Sequence, residues 1–220
     1  MDKKKILLLS DDLRLSSGVG TMSKEIVFGT MHKYDWFQVG AAIDHPESGK
    51  LVDLSEQVKK DIRPDVENPY LKILPYNGYG DQDVIREVMK HEQPDAIMIY
   101  TDPRFWDWLF HMEHEIRQNI PIFYYNIWDD LPYPMWNEPF YESVDALFNI
   151  SKQTYNIVKN VRREIPVKDW QCTYIPHGID EKKYYPIDEG HEEFSEMEGW
   201  FDQQLHGMNP EFAIFTTIVT

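Results

Sequence analysis

Lys5-Ile6-Leu7-Leu8-Leu9-Ser10-Asp11-Asp12-Leu13-Arg14-Leu15-Ser16-Ser17-Gly18-Val19-Gly20-Thr21-Met22-Ser23 is the stretch whose reading decides the fold. Ile6 to Leu9 is an apolar run without alternation, which suits a strand buried on both faces of a parallel sheet. An acidic-polar loop follows, then glycines at 18 and 20, then a segment with helical spacing at Met22 and Ile26. Gly18 and Gly20 permit positive φ and let the backbone approach a ligand with no Cβ in the way. The helix behind them turns its free N–H groups and the positive end of its dipole toward the turn. Ser17, Gly18, Val19 and Gly20 are therefore the residues expected to meet an anion such as a phosphate.

Outward from this unit, apolar runs recur at residues 35–43, 70–74, 95–100, 120–125, 144–150 and 172–176. Helical segments separate most of them. Asp81 is placed to cap one, Asp102-Pro103 to open another, and Ser151 to cap a third. Phe105, Trp108, Leu109, Met112 and Ile116 form the expected buried stripe of the helix after Asp102. Residues 47–68 are polar and predict only loops and a short helix. The alternation predicts an α/β fold, a doubly wound and mostly parallel Rossmann-like sheet with ligands at the carboxyl ends of its strands. The expected division is a domain over residues 1–186, an acidic linker over 187–211, and a fresh strand over 212–220. The last of these reads as the first strand of a second domain, so a truncated product is the simplest expectation.

Twenty-two basic residues stand against 38 acidic ones, a formal net charge of -16. Such a surface repels nucleic acid and anionic membrane. The single cysteine, Cys172, excludes an internal disulfide and fits a reducing cytosol. The apolar run at Ile6 is too short for a signal-peptide core or a bilayer span. The expectation is a cytoplasmic protein with no transmembrane segment.

Three readings of the glycine stretch stay open at this point. As a dinucleotide fingerprint it has Ser23 where a third glycine belongs and starts well past Ser10, although Asp44 would suit a ribose-binding acid. As a phospho-accepting receiver it has the Asp11-Asp12 pair but Pro75-Tyr76-Asn77 where a third aspartate is needed. The third reading is a plain loop. His111-Met112-Glu113-His114-Glu115 matches no metalloprotease spacing and reads as a solvated helix face, so no metal is expected. More informative is Asn126-Ile127-Trp128-Asp129-Asp130-Leu131-Pro132-Tyr133-Pro134-Met135-Trp136-Asn137. Rings stack on the apolar face of a pyranose and carboxylates accept from its hydroxyls, so this composition suits sugar recognition. It equally suits a structural loop covering the end of the sheet.

Taken together, these residues resemble the amino-terminal half of a GT-B glycosyltransferase of the family 4, or group 1, type. Three stretches carry the resemblance: Ile6 to Ser23; Gln93-Pro94-Asp95 through Tyr100-Thr101-Asp102; and Asp145 to Thr154 followed by Tyr174-Ile175-Pro176-His177-Gly178-Ile179-Asp180 and Tyr185-Pro186. It spans residues 5–186. The resemblance implies a two-domain, metal-independent, retaining hexosyltransferase without a cofactor, its nucleotide-sugar donor serving as co-substrate. The second half would hold that donor and this half would present a carbohydrate or other hydroxyl-bearing acceptor. It further implies that Ser17 to Gly20 face the donor diphosphate and sugar. His177 would lie near the cleft, and Tyr100, Asp102, Asn126, Trp128, Asp129 and Asp130 would serve the acceptor. Asp129, Asp130 and His177 are the catalytic candidates. Many members carry histidine where this chain has Asn126. Two other functions stay open: a stand-alone binding module and a nicotinamide-dependent oxidoreductase built on the glycine stretch.

Overall fold

The computed structural model describes residues 3–42, 44–182 and 184–206. The chain divides into two compact units, Met1–Pro176 and His177–Thr220. The first unit is an eight-stranded sheet with helices on both faces, ordered β3-β4-β2-β1-β5-β6-β7-β8.

At its centre is β1 (Lys4–Asp11), parallel to β2 (Tyr34–Ala41) on one side and to β5 (Ala96–Tyr100) on the other. Leu7, Leu8 and Leu9 are all fully buried, as a run without alternation requires of a doubly covered strand. Leu7 and Leu9 pack on one face with Val39, Ile97 and Ile99. Leu8 packs on the other with Val27 and Met31, contributed by and just after α1 (Gly18–Thr30).

Beyond β2 lie β4 (Leu71–Pro75), parallel, and β3 (Val52–Asp53), antiparallel to β4. Beyond β5 come β6 (Ile122–Asn126), β7 (Ala146–Asn149) and β8 (Cys172–Tyr174), all parallel. The polar stretch after residue 47 thus supplies a short edge strand and a helical segment. That segment runs as α2 (Ser55–Gln57) and a π-turn (Val58–Ile62), with only Val58 buried.

The face of Leu7 and Leu9 is covered by α3 (Gln82–Glu92), α4 (Asp107–His111), α5 (Glu113–Ile116), α6 (Glu138–Glu142) and α7 (Lys152–Val161). Three expected caps are present: Asp81 accepts from the Asp83 and Val84 amides, Asp102 from Arg104, and Ser151 from Thr154. One expected stripe is displaced. The segment after Asp102 opens as a 3₁₀ turn, Pro103–Trp106, which advances the side chains faster around the axis than an α-helix does. Trp106 is consequently fully buried and Phe105 is 47% exposed, while Leu109, Met112 and Ile116 are buried as expected.

The second unit contains α8 (Phe194–Leu205), inside the stretch read as an acidic linker. Carboxylates at the start of a helix suit its dipole, so acidity there does not oppose helix formation. The strand expected over 212–220 lies outside the described residues. Among the described residues, no helix is long and apolar enough to cross a membrane.

Candidate functional site

The chain runs outward from β1 to β2 and returns across it to β5, so the strand order reverses between β1 and β5. In open α/β sheets, ligands bind outside the carboxyl ends of the strands at such a switch point. Here that edge is made by Asp11 to Ser17, the loop after β4, and Asp102 to Phe105.

A buried polar net fixes the first of these. Ser10 Oγ accepts from Gln38 Nε2 at 2.7 Å and from Ser23 Oγ at 3.0 Å. Gln38 also donates to the Asp11 carbonyl at 2.8 Å and accepts from the Leu13 amide at 3.1 Å. Ser10, Gln38 and Ser23 are all fully buried. Buried polar groups persist when each has a partner, and these hold the turn after β1 in one conformation.

The two carboxylates of the turn then differ sharply. Asp12 is fully buried and satisfied: it accepts from the Arg14 amide and Nε, both at 2.9 Å, and from Nη2 at 2.7 Å. Asp11 is partly exposed. Its Oδ2 accepts from Ser17 Oγ at 3.3 Å, while Oδ1 is buried with no hydrogen-bond partner among the described residues. Burial pushes the Asp11 carboxyl above the ordinary aspartate range, and the Ser17 bond only partly opposes this.

Ser17 is the N-cap of α1. Its Oγ accepts from the Gly20 amide at 3.0 Å and its carbonyl from the Thr21 amide at 2.8 Å. The amides of Gly18 and Val19 are left at the helix N-terminus, where a helix has no partner for them. The glycines therefore sit inside the first turn of the helix, and neither has positive φ. What Gly20 supplies is closeness: a Cβ there would lie 2.7 Å from the Leu15 carbonyl oxygen. That contact is with the protein's own loop, which corrects the expectation that both glycines clear a path for a ligand.

Across the switch point, Asp102 accepts from the Arg104 amide at 2.9 Å and holds its guanidinium at 2.9 and 2.5 Å. Tyr79, after β4, stacks on Phe105 at 4.3 Å and meets Trp106 edge-on at 5.5 Å. Burial, then the charges of Asp11 and Asp102, push the Tyr79 phenol up to about 12. One phenol thus feels both carboxylates. The Arg104 guanidinium lies 5.1 Å over the Trp128 ring, which tethers the loop after β6 to this rim.

Within that loop, Trp128 Nε1 donates to the Asp130 carbonyl at 3.1 Å and the ring meets Trp136 edge-on at 6.0 Å. Gln153 donates to the Asp129 carbonyl at 2.5 Å. Asp129 and Asp130 are exposed beside the partly buried Trp128. Rings and carboxylates are thus together on the carboxyl edge of the sheet.

Two of the candidate acceptor residues are not on this surface. Asn126 is fully buried; it donates to Tyr141 at 3.3 Å and Asn149 at 3.4 Å, and accepts from the Trp128 amide at 3.1 Å. It supports the loop from beneath. Tyr100 is buried against Tyr125, ring centres 5.3 Å apart. Each ends a strand of the sheet, and Tyr141, Asn149 and Tyr125, their partners from elsewhere in the chain, are brought to them by the fold. His177 opens the second unit. His111 lies 3.3 Å from Asp107 and Glu115 2.9 Å from Arg86, so both are engaged in surface pairs. No group of three His, Cys, Asp or Glu side chains among the described residues is arranged to hold a metal ion.

Sequence reasoning weighs Asp11 only as half of a phospho-accepting pair, and it does not single out Tyr79 and Arg104. Asp11 was within reach of it, since the residue ending the first strand of a doubly wound sheet stands at the switch point. Tyr79 and Arg104 are brought there only by the crossover. The fold and this edge define a Rossmann-like α/β protein with an aromatic and carboxylate rim at its switch point. No protein-family model matches the chain, and no curated protein matches it either.

Proposed function

We propose that this chain is the acceptor-side half of a cytoplasmic glycosyltransferase of the GT-B, family 4 type, moving a sugar from a nucleotide-sugar to a hydroxyl-bearing acceptor. The observation that supports it most is the rim itself: Trp128 and Phe105 present rings beside Asp129, Asp130 and the Asp102–Arg104 pair, at the carboxyl edge of the sheet. A pyranose uses both kinds of group at once, rings against its C–H face and carboxylates on its hydroxyls.

In this reading an acceptor hydroxyl attacks the anomeric carbon as the bond to the diphosphate oxygen breaks. The departing diphosphate keeps the bonding electron pair, and the hydroxyl proton passes from the acceptor oxygen to the departing diphosphate. The Gly18 and Val19 amides and the dipole of α1 favour the negative charge on that leaving group. The greater part of the donor is held by a second α/β domain, so turnover requires both halves.

Nuclear magnetic resonance titration of the chain with glucose, galactose and N-acetylglucosamine, and separately with NAD, tests the reading. The indole signal of Trp128 should shift with the sugars and not with NAD. Replacing both Asp129 and Asp130 by Asn should weaken the sugar response by roughly tenfold or more, the worth of a hydrogen bond to a charged group. Micromolar NAD binding abolished by Asp44→Ala would overturn the transferase reading in favour of an oxidoreductase.

A further inference from the structure

Of the two adjacent carboxylates after β1, one is consumed by the fold and the other is not. Asp12 is saturated by Arg14 and wedged against Gly40, where a Cβ would lie 2.7 Å from Asp12 Oδ2. Asp11 keeps a buried oxygen without a donor among the described residues. A buried acceptor left unmade costs free energy, and native structures carry few of them without a reason. The buried net of Ser10, Gln38 and Ser23 serves the backbone around Asp11 and gives nothing to its carboxyl. The Tyr79 phenol, which feels the charge of Asp11, has its ring committed to the stack with Phe105.

We propose that Asp11 is a binding residue for the acceptor, its carboxylate taking a hydrogen bond from a sugar hydroxyl at the β1/β5 switch point. This rests on the sugar-transfer reading above and assigns a residue that the resemblance does not. The side chain is partly exposed at the rim. Ser17 fixes the carboxyl from one side at 3.3 Å and is itself fixed as the helix cap. The Tyr79–Phe105 stack supplies an aromatic surface at the same carboxyl edge of the sheet, and rings with carboxylates are what a pyranose ring and its hydroxyls require. Among the described residues the carboxyl has one side-chain donor, Ser17, so it retains acceptor capacity for a ligand hydroxyl.

The test compares the full chain with Asp11→Asn and Trp128→Ala in the same monosaccharide titrations, together with chemical denaturation of each. Asp11→Asn should weaken sugar binding about tenfold or more while leaving the free chain as stable as wild type or more so. A residue with only a structural role would lose stability and binding together. Undiminished sugar binding by Asp11→Asn, with binding lost in Trp128→Ala, would overturn this inference and leave the transferase reading standing. Absence of sugar binding by the wild-type chain would overturn both.

Discussion

A methyl group added to Gly20 would sit 2.7 Å from the Leu15 carbonyl oxygen and 3.0 Å from that of Asp12, both backbone atoms held by the turn after β1. A Cβ at Gly18 would meet nothing within 4 Å. Both residues lie in the first turn of α1 with ordinary helical φ. The pair therefore separates on substitution. Gly20→Ala should destabilise the chain by about 1–3 kcal/mol, because the backbone it strikes has no room to move. Gly18→Ala should stabilise it by about 0.4–1 kcal/mol, by restricting the unfolded chain without strain in the folded one. Chemical denaturation of the two variants checks both signs; equal losses would show that the turn is looser than its hydrogen bonds imply.

Helix starts carry the next level of organisation. Asp81 caps α3 through the Asp83 and Val84 amides, each at 3.0 Å, and also accepts from Tyr76 Oη at 2.7 Å. The Val84 bond and the Tyr76 bond hold its carboxyl below the ordinary aspartate range. Asp81→Ala should cost about 1 kcal/mol of stability at neutral pH, whereas Asp81→Asn, which caps as well, should cost only a few tenths. A loss in the Asn variant as large as in the Ala variant would mean that charge, rather than the cap bond, is what the helix uses. The same level explains the displaced stripe after Asp102. Pro103 and the cap are local signals and were correctly placed, but the 3₁₀ turn that buries Trp106 follows from how that segment seats against the sheet.

For the molecule as a whole, a formal charge of -16 means that the folded chain repels itself. Added salt should raise its thermal stability at pH 7, since it screens exposed like charges. Acid acts on the aspartates through two sets of groups. Asp11 and Asp35 have carboxyl pKa values raised by burial, so the folded state gains relative to the unfolded state as pH falls through those values toward 3.8. Asp81, through the Val84 amide, Asp95, through Lys4, and Asp65, lowered to about 2 by Arg63, have depressed values. Their stabilisation is present above the ordinary aspartate value and is lost as pH falls below it toward about 2. Stability should therefore rise as pH falls through the raised values of Asp11 and Asp35 and fall below about pH 4. His177, whose pKa burial lowers from 6.5, opposes the start of that rise. Asp11→Asn should flatten the rising limb. Thermal melts across this range check the shape, and a maximum above pH 7 would contradict it.

Much of the architecture was legible in the residue order. The run Ile6 to Leu9 announced a strand buried on both faces, and Leu7, Leu8 and Leu9 are fully buried. The alternation of strands and helices announced the doubly wound sheet, and Asp81, Asp102 and Ser151 announced their helices. These are short-range signals, because apolar periodicity and cap bonds act within a few residues of chain. The two-residue strand Val52–Asp53 was not legible: an edge strand that short is defined by its partner β4. The site divides along the same line. Composition picked out the ring-and-carboxylate loop at Trp128, Asp129 and Asp130. Only tertiary structure decided that Asn126 and Tyr100 lie beneath the surface, and that Asp12 is saturated while its neighbour Asp11 is not. It alone set Tyr79 where it feels the charges of both Asp11 and Asp102. Which side chains share a crevice depends on the crossover from β4 through α3 to β5, and residues far apart in sequence carry no local mark of where that crossover brings them.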